Sequence, residues 1–358
     1  MRIVVAMSGG VDSSVAAALL AEEGHDVIGV SMQLYDQTRG ERAFGSCCSL
    51  DDLHDARRVA ATISIPHYIL NFERQFDEQV ISNFVHEYTS GRTPLPCAHC
   101  NSELKFATLA ERARGFGADR VATGHYARVE WDEARRRYLL KRAADPAKDQ
   151  AYFLFSLTQD QLGQAVFPVG TRSKDAVREY ARRRRLPVAE KPDSQEICFI
   201  PDDDYRSFVG RLASTAPQDG EILDEGGAVV GRHSGVHRFT VGQRKGLGLA
   251  PSRAPSRAPM YVLAIKPIER QVIVGPRGSL ERATLTASGV NWILEAPAEP
   301  LRVSAQIRHR HQAAAAVVRA LGPRRAEVVF DQPQMAITPG QAVVFYQDDL
   351  VVGGGWID

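Results

Sequence analysis

Nowhere in the 358 residues does an apolar run approach the roughly 18–20 residues that a membrane span needs. A targeting pattern is missing too, because Met1 leads straight into the strand-like run Arg2-Ile3-Val4-Val5-Ala6 without a basic n-region or an apolar h-region. These absences give the expectation of a cytoplasmic protein with no membrane partner. An excess of one charge is also lacking: 44 Lys and Arg stand against 43 Asp and Glu, a formal net charge of +1. A polyanion must then be held by a local patch, since no global field draws it in. Cysteine is scarce at 5 residues, an odd number in a chain without secretory features. Reactive thiols or metal ligands are therefore expected in place of a disulfide framework. The content of 44% hydrophobic, 24% charged and 8% aromatic residues excludes disordered, collagenous and coiled-coil classes. At roughly 100–200 residues per domain, two or three globular domains are expected.

The first half alternates β-like apolar runs with helical periodicity. The pattern predicts a buried strand over Arg2–Met7, a helix over Val11–Glu23, a strand over Asp26–Met32, and a helix over Ser49–Ser64 opened by the capping pair Ser49 and Asp52. His67–Asn71 and Asp119–Thr123 are further strand candidates. Such alternation implies an α/β fold with a doubly wound parallel sheet, in which ligands sit at the carboxyl ends of the strands. After about Pro201 the texture changes. Gly220, Gly226, Gly227, Gly231 and Gly235 punctuate short runs, and Ala250–Pro259 is rich in Pro, Ser and Arg, which reads as a small central α+β module followed by a connector. From Met260 onward, Tyr261–Ile265, Gln271–Val274, Leu301–Ile307, Arg325–Phe330, Ala342–Tyr346 and Leu350–Val352 recur as short strands, so a closing β-barrel or sandwich is expected.

The most informative stretch is Ala6-Met7-Ser8-Gly9-Gly10-Val11-Asp12-Ser13-Ser14, between a predicted strand and a predicted helix. Two glycines allow close backbone approach to a phosphate, the serine hydroxyls add donors, and the next helix aims its first amides at the anion. The stretch lacks the lysine of a Walker loop and does not fit the dinucleotide fingerprint. A plain Gly-Ser turn with a helix cap would use some of the same letters, but not all of them together.

Ser-Gly-Gly-x-Asp-Ser-Ser after a first strand resembles the PP-loop of the N-type ATP pyrophosphatases, which split ATP between its α- and β-phosphates and adenylate a substrate oxygen. The resemblance implies an adenine nucleotide alpha hydrolase-like domain that binds ATP through Ala6, Met7, Ser8, Gly9, Gly10, Val11, Asp12 and Ser13, with Asp12 helping to place Mg2+. Met32 and Gly124, in Thr123-Gly124-His125, fall where such enzymes contact the adenosine. His125 has the chemistry of a phosphate donor, although a lone histidine is more often structural.

The cysteines form the second constellation. Cys97-Ala98-His99-Cys100 follows the rigid lead-in Thr93-Pro94-Leu95-Pro96, and Cys198 sits in Lys191-Pro192-Asp193-Ser194-Gln195-Glu196-Ile197-Cys198-Phe199. A CxxC pair alone fits a zinc half-site, a redox pair or part of a cluster site, and no second CxxC completes a zinc ribbon. Combined with the loop, these segments resemble the tRNA-specific 2-thiouridylases, the bacterial wobble-uridine thiolases, along nearly the whole chain. Further matching stretches are Gly91–Phe106, Lys148–Leu154, Val241–Gly248, Pro339-Gly340-Gln341 and Gly353–Ile357. The resemblance implies a PP-loop catalytic domain over 1–200, a central tRNA-contacting domain over 201–275 and a C-terminal tRNA-binding β-barrel over 276–358. It implies Cys100 as nucleophile and Cys198 as the persulfide-bearing cysteine, with Asp12 completing the catalytic set. Lys148, Asp149, Gln150, Arg308 and His309 fall at tRNA-contacting positions, with His309 standing where Tyr is usual. Expected partners are the tRNAs for Lys, Glu and Gln and a sulfur donor such as a cysteine desulfurase relay.

Two residues depart from the family pattern. Leu95 replaces the usual Asn between the prolines, and position 97 is Cys where many members carry Asp. Cys97, Cys100 and Cys198 have the donor chemistry to ligate three irons of a [4Fe-4S] cluster, leaving one iron open for hydrosulfide, so persulfide and cluster routes both stand. An extra thiol in the CxxC is an oxidation liability with little packing benefit, which favours a requirement for Cys97. Cys47 and Cys48 receive no role. The basic runs Arg135–Arg137 and Arg182–Arg185 suit either phosphate contacts or solvated faces, and Gln243, Arg244 and Lys245 are expected to shape the central module. Other classes compatible with the loop are a different PP-loop adenylating enzyme, which leaves the cysteines unexplained, and a noncatalytic RNA-binding protein, which leaves the intact loop unexplained.

Overall fold

The computed structural model describes residues 1–35, 50–193, 197–200, 204–213, 218–249 and 259–358. Met1–Val80, Cys97–Asp203 and Asp348–Gly353 form one compact unit; Ile81–Pro96, Asp204–Gln347 and Gly354–Asp358 form the other.

The first unit is built on a parallel sheet. Strand β1 (Arg2–Ala6) buries Ile3, Val4, Val5 and Ala6 without alternation, as a central parallel strand covered on both faces requires. It pairs in parallel with β2 (Asp26–Gln33), Ile3 opposite Val27; β2 pairs with β3 (His67–Asn71). On its other side β1 pairs with β4 (Arg120–Ala122). Two further strands, β5 (Ala127–Asp132) and β6 (Arg137–Arg142), form an antiparallel hairpin that the sequence pattern did not disclose. Leu350, in a terminal stretch belonging to this unit, pairs with Lys141 of β6. The two-residue strand β7 (Ala165–Val166) completes the sheet order β3-β2-β1-β4-β7. Helix α1 (Val11–Glu22) buries Val11 and all of Ser13 to Leu20, so it has no polar stripe and sits inside the core with Val177, Tyr180 and Ala181 of the helix Lys174–Arg183. Helix α2 (Leu50–Thr62) buries Leu53, Ala56, Val59 and Ala60 at helical spacing. Ser49, the expected cap, lies outside the described residues, and the Asp52 carboxylate pairs with Lys191 at 2.6 Å.

The second unit contains a four-stranded sheet in the order β10-β11-β8-β9 and a barrel. Strands β8 (Gly220–Asp224), β9 (Val229–His233), β10 (Tyr261–Lys266) and β11 (Gln271–Gly275) enclose Ile222, Val230, Val262, Val272 and Val274 with Phe239, Leu247 and Met260. The barrel runs β12 (Glu281–Trp292), β15 (Arg325–Met335), β14 (Ala314–Gly322), β13 (Leu301–Gln306), β16 (Ala342–Gln347) and β17 (Leu350–Ile357), of which Gly354–Ile357 lies in this unit, and β12 closes on β17. The expected doubly wound domain, small α+β part and closing barrel are thus present. Ile81–Pro96 joins this unit through aromatic packing. Phe84 meets Phe208 edge-on at 6.2 Å, and Tyr88 stacks on Tyr205 at 4.6 Å.

Candidate active site

The turn from β1 to α1 is shaped by what it excludes. Met7 still donates to the Val30 carbonyl at 2.8 Å, after which the chain leaves the sheet. Gly9 has a φ of 74°, and a Cβ there would overlap the Asp52 carbonyl. Gly10 occupies the helix N-cap in extended conformation with no side chain to cover the first amides. The hydroxyls of Ser13 and Ser14 turn back onto the Gly10 carbonyl at 3.2 and 2.8 Å, and the Ser8 amide donates to Ser13 Oγ at 3.2 Å. The first amides of a helix have no partner within it, so this arrangement offers donors that suit an anion at the positive end of α1.

Gly124, just beyond β4, packs against the same turn: a Cβ on it would lie 2.5 Å from the Ser13 amide nitrogen. On the neighbouring strand β2, Ser31 donates to the Met7 carbonyl at 2.7 Å and meets His67 Nε2 at 2.9 Å, and Met32 is buried at the strand's end. Ala6 to Ser13, Met32 and Gly124 are therefore gathered at the carboxyl ends of β1, β2 and β4. His125 Nδ1 lies 2.6 Å from Thr123 Oγ1, and burial, aided by the Lys105 charge, holds its pKa well below the usual histidine value, so the ring is neutral.

Asp12 is not a solitary carboxylate. Lys174 donates to both its oxygens at 2.8 Å, and the Tyr126 hydroxyl donates to Oδ1 at 2.8 Å. Burial, with the Asp12 charge adding, drives the Tyr126 phenol far above its ordinary pKa, so it acts only as a neutral donor. Lys174 also reaches Asp193 at 2.7 Å, and Lys148 and Arg178 bind the same Asp193 carboxylate at 2.8 and 2.9 Å. Burial alone would raise the Asp193 pKa; the hydrogen bonds from Lys148 and Lys174 outweigh it and bring the value down to about 2. Tyr126, Lys174 and Asp193 escaped the sequence reading. One signal was present: Lys174 opens a helix, where a cation opposes the helix dipole unless carboxylates claim it.

Cys97 is exposed on the short helix Pro96–His99, and Cys100, half-buried, opens the wide π-helical stretch Cys100–Thr108. The next residue, Asn101, is buried and anchored by donating to the Phe153 carbonyl at 3.1 Å while accepting from Lys105 at 3.0 Å. Cys198 is half-buried; its neighbour Phe199 packs edge-on against Phe76 at 5.5 Å, and the Tyr35 hydroxyl donates to the Cys198 carbonyl at 3.5 Å. Among the described residues no group of three or more His, Cys, Asp or Glu side chains is placed to hold a metal ion. Cys47 and Cys48 lie outside the described residues.

Of the expected tRNA contacts, Lys148 is tied to Asp193 as above. The Asp149 carboxylate is buried, accepting from Arg142 and from the amides of Ala143 and Ala151 at 2.9, 3.0 and 3.2 Å. Gln150 exchanges hydrogen bonds with the Tyr126 backbone at 2.8 and 3.0 Å, so this turn braces the tyrosine on Asp12. In the second unit Arg308 and His309 are exposed after β13, their carbonyls held by Gln306 at 3.2 and 2.8 Å. Gln243 closes its own turn by donating to the Lys245 carbonyl at 3.0 Å. Within the basic runs, Arg135 pairs with Asp132 at 2.6 Å and Arg182 with Glu190 at 2.7 Å, leaving less charge for phosphates than the letters suggest.

Comparison with known proteins covers the whole chain. Residues 1–202 match the tRNA methyl transferase HUP domain family, 206–276 the tRNA methyl transferase PRC-barrel domain, and 282–357 the aminomethyltransferase beta-barrel domain. A protein of Geotalea uraniireducens named tRNA-specific 2-thiouridylase MnmA is 52% identical, with 100% of this chain and 95% of that relative aligned. Its namesake in Geobacter metallireducens is 52% identical over 100% of this chain and 96% of its own. The one in Clostridioides difficile is 45% identical over 100% and 98%. Two of the domain families are named for methyl transfer, whereas these full-length relatives are named for thiolation.

Proposed function

The chain belongs to the tRNA-specific 2-thiouridylase family, and from that premise we propose that it uses ATP to convert the wobble uridine of tRNA into 2-thiouridine. In this reading the uridine C2 oxygen attacks the α-phosphate of ATP, the bond to the β-phosphate breaks, and pyrophosphate leaves into the Ser8–Ser13 turn. The resulting O-adenylate makes AMP the leaving group at C2. A sulfur nucleophile displaces it.

For that step we assign Cys198 as the carrier of a persulfide received from a desulfurase relay. Its terminal sulfur attacks C2 and expels AMP; the Cys100 thiolate then attacks the Cys198 sulfur. The products are 2-thiouridine and a Cys100–Cys198 disulfide, which an external thiol must reduce before the next turnover. Cys97, Cys100 and Cys198 also have the donor chemistry for a [4Fe-4S] cluster, the alternative route for this sulfur.

Magnesium suits this site differently, since the Asp12 carboxylate already holds one cation on both oxygens and magnesium usually binds one or two carboxylates plus substrate phosphates. Bound there with ATP, it would neutralise charge on the departing pyrophosphate. The rest of the proposal assigns tRNA recognition to the Lys148–Gln150 turn and to Arg308 and His309, the tRNAs for Lys, Glu and Gln as substrates, and domains over 1–200, 201–275 and 276–358. No helix among the described residues is long and apolar enough to cross a membrane, and we place the enzyme in the cytoplasm, where its tRNA and ATP are.

The observation that carries the reading is the seating of Gly124 against the Asp12–Ser13 backbone, which closes a phosphate turn at the carboxyl edge of the sheet. Nucleoside analysis of tRNA from cells lacking the protein tests it. Loss of 2-thiouridine derivatives is expected, and an unchanged nucleoside profile would refute the proposal.

A further inference from the structure

Lys174 is a nearly enclosed cation in the first unit's ion-pair network, with only 8% of the residue exposed. Its ammonium has three donors and three carboxylate oxygens within hydrogen-bond range: Asp12 Oδ1 and Oδ2 at 2.8 Å and Asp193 Oδ1 at 2.7 Å. The two carboxylates differ in setting. Asp193 is fixed by Lys148 and by Arg178, which also donates to the carbonyls of Ala189 and Lys191 at 3.1 Å. Asp12 stands in the first turn of α1, and its side chain remains 30% exposed against 10% for that of Lys174. A cation arriving from solvent can therefore reach Asp12 without the ammonium leaving the protein.

We propose that Lys174 is a positioning residue that occupies Asp12 in the nucleotide-free enzyme and yields its oxygens to the magnesium of ATP, remaining tethered to Asp193. This rests on the ATP-binding reading of the Ser8–Ser13 turn and adds to it a competition between two cations for one carboxylate. The physical ground is short-range electrostatics. Two cations on the same carboxylate repel one another strongly in a partly buried site, and Asp193 gives the displaced ammonium a paired position, avoiding an unpaired buried charge. The lysine that the phosphate turn lacks in its own sequence is thus delivered from a helix far along the chain, on the protein side of the carboxylate.

The competition predicts opposite shifts from two substitutions. Binding of a non-hydrolysable ATP analogue to the full-length protein, followed by calorimetry across a magnesium titration, gives the metal concentration at half-saturation. Lys174→Met removes the competitor and should lower that midpoint on the order of tenfold, the size expected for a lost charge-assisted hydrogen-bond pair. Asp193→Asn leaves the ammonium with Asp12 as its one carboxylate and should raise the midpoint, while Lys174→Arg keeps a competing cation and should stay close to wild type. A purely structural lysine would weaken binding in both of the first two variants. Unshifted midpoints, or a raised midpoint in Lys174→Met, would overturn the proposal while leaving the ATP reading intact. If Lys174→Met fails to fold, Lys174→Gln read in the same titration decides: a lowered midpoint supports the competition, and a raised or unshifted one overturns it. Failure of the wild-type protein to bind nucleotide at any magnesium concentration would overturn both readings.

Discussion

Gly124 approaches the Asp12–Ser13 peptide so closely that a methyl group on it would come 2.5 Å from the Ser13 nitrogen and 2.6 Å from the Asp12 carbonyl carbon. Both neighbours are backbone atoms at the start of a helix buried along nearly its whole length, so neither can rotate aside. Gly124→Ala should displace the start of α1, lower stability by about 1–3 kcal/mol as overpacking does, and weaken nucleotide binding more than it weakens tRNA binding. Urea unfolding with nucleotide and tRNA titrations checks this. Equal loss of both affinities would mean that the glycine serves the fold alone.

The second expectation concerns RNA. Arg308 is exposed on the barrel and donates to the Met335 carbonyl at 3.1 Å through a single guanidinium nitrogen, which leaves other donors for a phosphate. Arg308→Ala should weaken tRNA binding and reduce the slope of log affinity against log salt by about 0.7–0.9, the signature of one lost phosphate contact. An unchanged slope with unchanged affinity would remove Arg308 from the interface.

Much of the loop was legible because its determinants are contiguous: strand, two glycines, three serines and helix occupy one short stretch. The network behind it was not. Lys174 and Tyr126 reach Asp12 across 162 and 114 positions, and no local pattern records a contact of that span. Strand reading failed for equally definite reasons. Ala314–Gly322 opens with three alanines, strong helix formers, yet its pairing with β13 and β15 makes it a strand. Arg325–Met335 continues past Phe330 through Pro333, where sequence rules stop a strand. The Ile81–Pro96 excursion depends on Phe84 and Tyr88 finding Phe208 and Tyr205, more than a hundred residues later.

Acid should destabilise the protein in a defined window. His67, His125, His233, His237 and His311 all have pKa values below the ordinary histidine value, with burial the leading cause in each. The unfolded chain then binds protons more readily than the folded one, so stability is full above about pH 6.5 and falls as pH drops below it, by about 1.4 kcal/mol per pH unit for each histidine kept neutral. Asp193, with its carboxyl at about 2 in the folded state, adds a further loss only below about pH 4. Urea midpoints at pH 8, 7, 6 and 5 should be level over the first two and then decline. A flat profile to pH 5 would contradict the neutral assignment.

The cysteines separate two routes for sulfur. If Cys198 carries a persulfide and Cys100 resolves it, Cys100→Ser and Cys198→Ser should lose thiolation, while Cys97→Ser, altering an exposed thiol, should retain most activity without iron. If a cluster operates, anaerobic reconstitution should give about four irons per chain, and Cys97→Ser should lose both iron and thiolation. Assays without oxygen are required, since air would oxidise a cluster and the thiols alike.

The central claim is that ATP cleavage at this loop activates a uridine for thiolation. Its most direct test is pyrophosphate release by the purified, persulfide-loaded enzyme, with and without tRNA, alongside 2-thiouridine measured in the same tRNA. The account predicts release that depends on tRNA, one pyrophosphate for each 2-thiouridine formed, and neither product from Asp12→Ala, whose tRNA affinity stays within a few fold. Pyrophosphate release indifferent to tRNA, or wild-type release from Asp12→Ala, would contradict it.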